Sequence, residues 1–482
     1  MSPPHLKPIS SNALGVLGDA FYDAVVPARF PSVQLRHDDV RWRGHIGLGG
    51  LGEDAVRSHF TRFEPFQGSL TEPLAMRYHG HQFRSYNPHL GDGRGFTFAQ
   101  FVQLGGPEAG RLLDLGTKGS GTTPHSQRGD GRLTLQGGVR EVLASAMLEA
   151  LGVNTSKALA LHETGESLHR DDEPSPTRSA VLVRLSHGHI RIGTFQKHAF
   201  DEATERVEAL LHYCAEHYYP ALPRDDTMVL ALDFVYAVTR RLARLAASWT
   251  VAGFAHGVLN TDNINITGES FDYGPYRFVP ACDPGFVAAH FDETGLYAFG
   301  RQPQTLLWNI ARLCDALRSI APRGVLEEAT AHYENEFRRG LADRFTRRLG
   351  LEPADPDTDD GLAMKTISWL VDSQVGYDQF FFDWFGGGAV ATRERIRHSP
   401  QAEAYRAPGF AEIAALLKTY EPARAEVLDD PYFAKLAPCG LLDDDLRTIW
   451  AAIDDRDDWG PFHAKLAAID GLRVLNERVP AV

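Results

Sequence analysis

Cysteine is scarce in this chain, and where it occurs it is not clustered. The 482 residues include four cysteines and no C-x-x-C motif. They are Cys214, Cys282, Cys314 and Cys439. Disulfide scaffolds and zinc ribbons need paired or closely spaced cysteines, so this spacing argues against both classes. We predict a reducing compartment, the cytoplasm.

The chain also lacks a basic run and a long apolar run. Its formal net charge is −14, and no block of Lys and Arg interrupts that acidity, so nucleic acid is not an expected partner. No stretch approaches the roughly 20 apolar residues that span a bilayer. The first residues, MSPPHLKPISSNALG, contain no apolar segment typical of a secretory signal. We therefore expect no membrane partner.

What is present is a globular composition, 43% hydrophobic and 23% charged, that changes along the chain. Residues 1 to about 60 resemble an irregular leader with one short strand candidate, Ser32–Leu35. From about 70 to 195 Gly-rich turns alternate with apolar runs, and after about 200 the pattern is mostly helical. This order predicts an α+β fold of the protein-kinase-like, bilobal kind. The expected parts are an N-terminal extension over 1–69, a mixed α/β N-lobe over 70–197, a helical C-lobe over 198–400 and a C-terminal helical extension over 401–482.

Local periodicity predicts individual elements. Short apolar or alternating runs predict strands at 96–101, 111–115, 180–185 and 189–193. Apolar residues at helical spacing predict a helix over about 134–151 that ends at Gly152. Further helices are expected over about 202–219, 227–251, 304–320, 324–348 and 362–385. The acidic, proline-containing stretch 352–361 predicts a loop.

The segment HGVLNTDNINITGESFDYGPYRF, residues 256–278, resembles the catalytic and metal loops of protein kinases with one important difference. Kinases carry H-R-D-x-x-x-x-N and, later, D-F-G. His256 and Asn263 occupy the His and Asn places, and Asp272 begins the equivalent of D-F-G. Val258 occupies the place of the catalytic base and cannot accept a proton.

Asn263 and Asp272 are the candidate metal ligands, because Mg²⁺ prefers hard oxygen donors supplemented by nucleotide phosphates. Either residue alone is also a common turn former. Asp262, next to Asn263, is the candidate substitute base. A base must lie within about 2.6–3.2 Å of the hydroxyl that it deprotonates. A displaced base therefore implies that the acceptor hydroxyl is displaced as well. That hydroxyl would then attack a phosphorus other than the γ-phosphorus.

Several cations of the mixed lobe suit a triphosphate. Lys118 follows a predicted strand and matches the kinase lysine that binds phosphates, with Glu141 in the next helix as its ion-pair partner. Arg94, Arg184 and Arg191 add guanidinium groups, which clamp phosphate in bidentate fashion. Solvent-facing side chains are the plain alternative for each of these cations.

A short sequence echo lies in the same region. Gly91-Asp92-Gly93-Arg94 recurs as Gly129-Asp130-Gly131-Arg132, with flanks that do not match. We do not infer a duplicated domain from it. Two turns of the same chemistry suggest two backbone contacts to one polyanion.

Two H-x-H pairs raise zinc as an alternative ligand. They are His79 with His81 and His187 with His189. Neither an H-E-x-x-H motif nor a cysteine partner accompanies them. We therefore predict that these four side chains pack and form hydrogen bonds.

Taken together, the motifs resemble the SelO family, also called YdiU, of kinase-fold protein adenylyltransferases. The matching stretches are YHGHQFRSYNPHLGDGRG (78–95), GTKGSGTTPHSQRGDGR (116–132), VREVLASAMLEALGV (139–153), SHGHIRIGTFQ (186–196), the segment 256–278, DPGF (283–286) and RQPQTLLWNIARL (301–313). They cover about 75–315 densely and then thin out. One departure is Arg84-Ser85 in place of the Gly-Gly that usually follows H-Q-F.

The resemblance implies that ATP binds in the reverse orientation to kinases, that AMP is transferred and that pyrophosphate leaves. It implies Asp262 as the proton acceptor and Asn263 with Asp272 as ligands of Mg²⁺ or Mn²⁺. It implies Glu141 as the partner of Lys118. The nucleotide-binding positions that it implies are Gly91, Gly93, Arg94, Lys118, Asp130, Gly131, Arg184, Arg191 and Asp272.

Three functions are distinguished. The leading hypothesis is a protein adenylyltransferase acting on Ser, Thr or Tyr hydroxyls of proteins, itself among them, with UTP left open as an alternative donor. A kinase-like phosphotransferase is the second, and Val258 argues against it because such enzymes keep an Asp there. The third is a non-catalytic, nucleotide-binding pseudokinase, which would not need so complete a set of phosphate and metal groups.

Overall fold

The computed structural model describes residues 7–170 and 175–480, and a large antiparallel sheet organises its first part. The strands are β1 (Ser10–Ser11), β2 (Tyr22–Ala24), β3 (Gln34–Asp38), β4 (Leu74–Met76), β5 (Gly80–Gln82), β6 (Ser85–Asn87), β7 (Thr97–Val102), β8 (Leu112–Lys118), β9 (Leu133–Thr134), β10 (Lys157–Leu168), β11 (Thr177–Ser186), β12 (Phe254–Ala255) and β13 (Arg277–Phe278). Nine of them form one sheet in the order β2-β4-β7-β8-β11-β10-β3, with β1 beside β7 and β9 beside β11. The strands predicted at 96–101, 111–115 and 180–185 are confirmed as β7, β8 and β11.

Both faces of this sheet are covered, so its central strands are apolar almost throughout. Every residue of β8 is buried. On one face, Val142 of helix α4 (Leu135–Ala150) and Leu182 of β11 share a core. On the other, Phe98 and Val183 belong to a second core. Leu182 and Val183 lie on opposite faces because successive side chains of a strand alternate.

The expectation of an irregular leader is wrong for the residues described, which begin at Lys7. β1, β2 and β3 join the main sheet, and β3 pairs with β10, with Asp38 opposite Ala160. The same segment forms α1 (Ala13–Val16), α2 (Val40–His45) and α3 (Glu53–Thr61). The local signal is weak because strand formation here depends on distant partners.

Helices dominate the rest of the chain, and the mixed α+β class is confirmed. They are α5 (Ile192–Phe200), α6 (Thr204–His217), α7 (Thr227–Ala252), α8 (Gln302–Ala316), α9 (Arg323–Glu328), α10 (Tyr333–Arg348), α11 (Pro356–Ser373), α12 (Tyr377–Asp383), α13 (Val390–His398), α14 (Ala411–Leu417), α15 (Asp443–Arg456) and α16 (Gly460–Glu477). The helices predicted over 134–151, 202–219, 227–251 and 304–320 are confirmed as α4, α6, α7 and α8, with differences at their ends.

Three further predictions of local structure, one strand and two helices, are wrong. Residues 189–193 do not form a strand: α5 begins at Ile192, and Arg191 makes only an isolated bridge to Asn265. The helices predicted over 324–348 and 362–385 are each divided in two. The second break lies at Gln374, whose backbone is left-handed with φ 53°.

The acidic stretch 352–361 is a loop only in its first half. α11 begins at Pro356, and the side chain of Asp355 accepts a hydrogen bond from the backbone N–H of Thr358. Proline suits a first helical position because its missing N–H would be unpaired there anyway. The proline and acidic residues that indicated a loop are therefore a helix start.

The long helix α7 positions the segment that carries the predicted catalytic residues. Its start is capped by Asp226, which accepts from the backbone N–H groups of Met228 and Val229. Gly253 ends it with φ 67°, a left-handed conformation that glycine adopts without strain. Strand β12 follows directly, and a 3₁₀ helix, Thr261–Asn263, comes after five further residues.

The cysteines are all free, and Cys214, Cys282 and Cys314 are buried. Burial raises the pKa of each of these three thiols, which makes them poor nucleophiles. Among the helices of the described ranges, none has the length and apolar character to span a lipid bilayer.

Candidate active site

A polar cavity of about 730 Å³ lies between the main sheet and the segment that carries Asp272. Every residue predicted to bind nucleotide lines it, namely Gly91, Gly93, Arg94, Lys118, Asp130, Gly131, Arg184, Arg191 and Asp272. The fold thus brings together residues that the sequence distributes over separate motifs.

Lys118, the last residue of β8, lies in this cavity between two carboxylates. Its Nζ donates to Glu141 of α4 and, at 2.8 Å, to Oδ1 of Asp272. The side chains of Lys118 and Glu141 are only 5% and 4% exposed. Thr134 fixes the start of α4 by accepting from the backbone N–H of Gly137. The buried ion pair therefore holds the ammonium group in one place.

Asp272 lies where several cations converge. Arg184 donates from Nη1 to its Oδ1 at 3.2 Å, next to the bond from Lys118. Burial alone would raise the pKa of the Asp272 carboxyl, but Lys118, Arg184 and Arg191 lower it well below its ordinary value. The backbone of Asp272 is left-handed, φ 68°, a conformation to which Asp and Asn have more access than most residues. The result is an ionised carboxylate fixed against the cations.

Arg191 connects the cavity with the segment that carries the predicted base, Asp262. Its Nη1 donates to the backbone oxygen of Asp262 at 2.9 Å, and its Nη2 donates to Oδ1 of Asp92 at 3.0 Å. The guanidinium carbon lies 4.3 Å from the ring centre of Tyr78 and 5.0 Å from that of Phe271. Two hydrogen bonds and two ring faces thus orient one buried cation.

The two Gly-Asp-Gly-Arg turns border the same cavity. A Cβ at Gly91 would lie 2.2 Å from the ring of His125, and one at Gly131 would lie 2.2 Å from the carbonyl group of Gly121. Gly131 is also left-handed, φ 69°. Thr123 donates from its hydroxyl to the backbone oxygen of Asp92 at 2.6 Å, so the first turn is bonded to the segment that precedes the second. Only glycine allows this close approach.

Asp262 and Asn263 lie beside this cavity and are not part of its lining. Asp262 is 7% exposed, and its Oδ1 has no hydrogen-bond partner. Burial raises the pKa of Asp262 to about 6, against a lowering by Arg191 and Gln82. A buried carboxylate with an unpaired oxygen is chemically suited to accept a proton.

Hydrogen bonds tie the catalytic segment to the loop of Asp272. Nε2 of His256 lies 3.0 Å from the backbone oxygen of Phe271, the residue before Asp272. Asn263 donates from Nδ2 to the backbone oxygen of Val258 at 3.2 Å. An amide that donates through its nitrogen keeps its oxygen for an acceptor role, such as binding a cation.

The donor set fits a divalent cation that is shared with phosphates. Asp272 offers a carboxylate and Asn263 an amide oxygen, both hard donors of the kind that Mg²⁺ takes. Within 7–170 and 175–480, no group of three or more His, Cys, Asp or Glu side chains could enclose a metal. An ion bound here would need nucleotide phosphates and water to complete its coordination.

Sequence reasoning missed several residues that line the cavity. Asp92 accepts from Arg191, and its signal was available, since it occupies the place of Asp130 in the first of the two turns. Arg170 donates to Asp130 at 2.9 Å, a contact between loops that no local pattern indicates. The others are Tyr78, Gly95, Thr117, Ser126, Arg128, Gly129, Arg132 and His169.

The histidines of the two H-x-H pairs form hydrogen bonds, as predicted. The ring nitrogens lie between 2.7 and 3.3 Å from their partners. Their partners are Tyr86 for His79, Gln196 for His81, Glu269 for His187 and Asp114 for His189.

Comparison with known proteins agrees with the kinase-like motifs of this site. The family model for the protein adenylyltransferase SelO matches residues 5–470. A protein nucleotidyltransferase YdiU of Synechocystis sp. is 41% identical over 480 residues, which cover 96% of this chain and 98% of that protein. The YdiU of Gloeobacter violaceus is 42% identical over 471 residues, 94% of this chain and 92% of its own. The YdiU of Trichodesmium erythraeum is 39% identical over 489 residues, 97% and 100% of the two chains. The chain therefore belongs to the SelO family of protein adenylyltransferases.

Proposed function

We propose that this enzyme transfers AMP from ATP to Ser, Thr or Tyr hydroxyls of proteins through the residues described above. The observation that carries the assignment is the pairing of Val258, in the place of a kinase base, with a buried Asp262 four residues later. A γ-phosphoryl transfer would lack its base, whereas the phosphate-binding cations are all present. A displaced base suits an acceptor that attacks a different phosphorus.

The proposed transfer forms one phosphorus–oxygen bond and breaks another. The acceptor hydroxyl oxygen forms a bond to the α-phosphorus of ATP while the bond from that phosphorus to the α,β-bridging oxygen breaks. The bridging oxygen leaves with pyrophosphate, and the hydroxyl proton passes to the Asp262 carboxylate. The product is a phosphodiester between AMP and the protein side chain. The unpaired Oδ1 of Asp262 is the atom to which we assign the proton.

Fixed cations supply the electrostatic stabilisation that this reaction needs. Negative charge grows on pyrophosphate as it departs, and preorganised positive groups lower the energy of that state. We assign Lys118, Arg184 and Arg191 to the phosphates, with Arg94 at the cavity rim. We assign the backbone of Gly91, Gly93, Asp130 and Gly131 to phosphate contacts, because glycine lets a polyanion approach closely. Glu141 positions Lys118 and does not touch the nucleotide.

Mg²⁺ or Mn²⁺ is the proposed cofactor, held by Asn263 and Asp272. When bound, the ion would supply positive charge that offsets the negative charge of the phosphates. The chain's own contribution is to hold Asp272 ionised, since Lys118 and Arg184 keep the pKa of its carboxyl low. Arg191 fixes the neighbouring segment by binding the backbone of Asp262.

We also propose that the chain is divided into two lobes. The N-lobe would comprise 70–197, completed by strands of the extension 1–69 that join its sheet. The C-lobe would comprise 198–400, with 401–482 as a helical extension. Four free cysteines are compatible with a reducing cytoplasm, where we place the activity.

Transfer of the correctly labelled phosphate tests this function. The enzyme is incubated with Mg²⁺ or Mn²⁺, a protein extract and ATP labelled at either the α or the γ position. We expect protein to be labelled from the α position only. Asp262→Asn should reduce this labelling by about 10²–10⁴-fold. The control variant Asp454→Asn, at an exposed position, should label protein as wild type does. Label from the γ position alone would show a phosphotransferase. UTP labelled at the α position, run in parallel, establishes whether UMP is also transferred.

A further inference from the structure

The hairpin of β5 and β6 is fastened to the catalytic 3₁₀ helix. The backbone N–H of His81 donates to Oγ1 of Thr261 at 2.7 Å. The backbone N–H of Phe83 donates to Oδ1 of Asn260 at 3.1 Å. A Cβ at Gly80 would lie 2.7 Å from Oδ1 of Asp262. The hairpin is therefore a wall of the space beside the proposed base.

The turn of this hairpin is strained. Its two central residues, Phe83 and Arg84, are both left-handed, with φ 48° and φ 67°. Two-residue turns of this kind favour Asn-Gly, because glycine adopts positive φ without cost. Strain of this sort persists where surrounding contacts enforce it, and it clusters at functional sites. Here it holds the large ring of Phe83 at the surface, 37% exposed.

Phe83 is part of an aromatic patch, which we define as Phe83, Phe291 and Tyr297. The ring centre of Phe83 lies 6.0 Å from that of Phe291 and 5.0 Å from that of Tyr297. Phe291 is 50% exposed. Tyr297 donates from its hydroxyl to Oδ1 of Asn260 at 2.7 Å, which links the patch to the catalytic segment. Tyr297 is buried, so the exposed part of the patch is the pair Phe83 and Phe291. Adjacent exposed aromatic rings are characteristic of surfaces that bind other proteins.

The patch is separate from the nucleotide cavity. None of its three residues lines that cavity. Yet Asn260, to which it is bonded, is only two residues from Asp262, a separation of at most about 7 Å along the chain. The patch is therefore close along the chain to the proposed base and lies outside the nucleotide cavity.

We propose that the aromatic patch is the docking surface for the protein acceptor. An extended, hydroxyl-bearing segment of the acceptor places an aromatic or large aliphatic side chain against Phe83 and Phe291 while its hydroxyl reaches Asp262. At about 3.3–3.6 Å per residue, the apolar side chain stands within about four residues of the modified one. This inference rests on the proposed adenylyl transfer and adds a rule for acceptor choice to it.

A positional peptide library tests the rule. Each peptide has a central Ser, Thr or Tyr, and one flanking position at a time is fixed as Phe, Leu or Gly. The library is incubated with α-labelled ATP, Mg²⁺ or Mn²⁺ and wild type, Phe83→Ala, Phe291→Ala or the control Tyr236→Ala. Tyr236 is an exposed aromatic of α7, 48% exposed, that stacks on His332 and not on the patch. The melting temperatures of all variants are compared first. If Phe83→Ala disturbs the turn, Phe291→Ala still tests the proposal.

Wild type should label peptides with Phe or Leu at one position about tenfold better than those with Gly there. Phe83→Ala and Phe291→Ala should reduce that ratio toward one while the KM for ATP stays unchanged, and Tyr236→Ala should keep it. An unchanged ratio in both patch variants, or no apolar preference in wild type, would overturn the docking proposal. So would self-labelling or labelling of extract proteins without any labelling of peptides. Absence of α-label on every protein and peptide would instead contradict the transferase function itself.

Discussion

Lys118 and Asp272, which are 154 residues apart in the chain, are joined by a hydrogen bond of 2.8 Å between Nζ and Oδ1. Lys118 comes from the sheet and Asp272 from the loop after the catalytic segment. Glu141 contacts the same ammonium group from α4, and Arg184 contacts the same carboxylate from β11. One chain of alternating charges thus joins the phosphate-binding and metal-binding parts of the proposed site.

Two variants that lack Lys118 should distinguish its contribution to stability from its contribution to catalysis. Lys118→Met leaves the carboxylate of Glu141 buried without its cation, which should lower the free energy of unfolding by about 3–5 kcal/mol. The double variant Lys118→Met, Glu141→Gln removes that buried charge and should recover much of the loss. Both variants should lose about 10²–10³-fold in kcat, because the phosphate cation is absent in each. Urea unfolding and α-label transfer measure the two quantities.

Lys418→Met serves as the matched control, since Lys418 is exposed. It should change neither the unfolding free energy nor the rate. Recovery of activity in the double variant would contradict the role of Lys118, because it would show that only stability had been lost.

Asp272→Asn should weaken metal binding strongly without unfolding the loop. Asparagine tolerates the left-handed backbone at this position, so the loop should keep its conformation. Losing a residue that only hydrogen-bonds to a metal ligand typically weakens metal binding by about 10–100-fold. Losing a carboxylate that binds the metal directly should weaken Mn²⁺ binding in the presence of ATP by more than that. Electron paramagnetic resonance of free Mn²⁺ reports this directly. Unchanged Mn²⁺ binding would remove Asp272 from the proposed ligands.

Arg191→Lys should show whether geometry or charge is required at this position. The lysine keeps the charge but loses the planar fork that binds Asp92 and the backbone of Asp262 together. We expect kcat/KM for ATP to fall by about tenfold in Arg191→Lys, which corresponds to roughly 1.4 kcal/mol. In Arg191→Met the same ratio should fall further. Equal activity of Arg191→Lys and wild type would mean that a point charge is sufficient.

Glu269 should make the fold sensitive to acid. Burial alone would raise the pKa of Glu269, but contacts with His187 lower it from 4.5 to about 2. A depressed carboxyl pKa contributes stability that is present above pH 4.5 and is lost as the pH falls toward 2. The contribution at pH 7 is about 3 kcal/mol.

Glu269→Gln should therefore lower the unfolding free energy at pH 7 and flatten its decline between pH 4.5 and about 2. The exposed Glu328→Gln is the matched control and should follow wild type at every pH. Urea unfolding curves across that range provide the measurement. Parallel curves for Glu269→Gln and wild type would show that the hydrogen bonds between Glu269 and His187 contribute nothing.

Strong local signals predicted much of the fold. The pattern over 227–251 predicted α7 because its apolar residues recur at helical spacing. β8 and β11 were predicted because buried central strands are nearly continuous apolar runs. The strand predicted at 189–193 was wrong because alternating Ile190 and Ile192 imitate a strand where a helix begins.

Contacts between distant segments could not be predicted in the same way. β3 is stabilised by β10, more than a hundred residues later, and no local pattern shows that pairing. The bond from Arg191 to the backbone of Asp262 spans 71 residues and depends on how α5 meets the 3₁₀ helix. The motifs named the candidate site residues, whereas their mutual contacts required the structure.

The most direct test of the central claim is the intact mass of an acceptor protein, or of the enzyme itself, after incubation with ATP and Mg²⁺ or Mn²⁺. We predict a gain equal to one AMP moiety on a Ser, Thr or Tyr side chain, which fragmentation locates and which Asp262→Asn abolishes. A gain of a phosphoryl group alone, or an AMP adduct undiminished in Asp262→Asn, would contradict it.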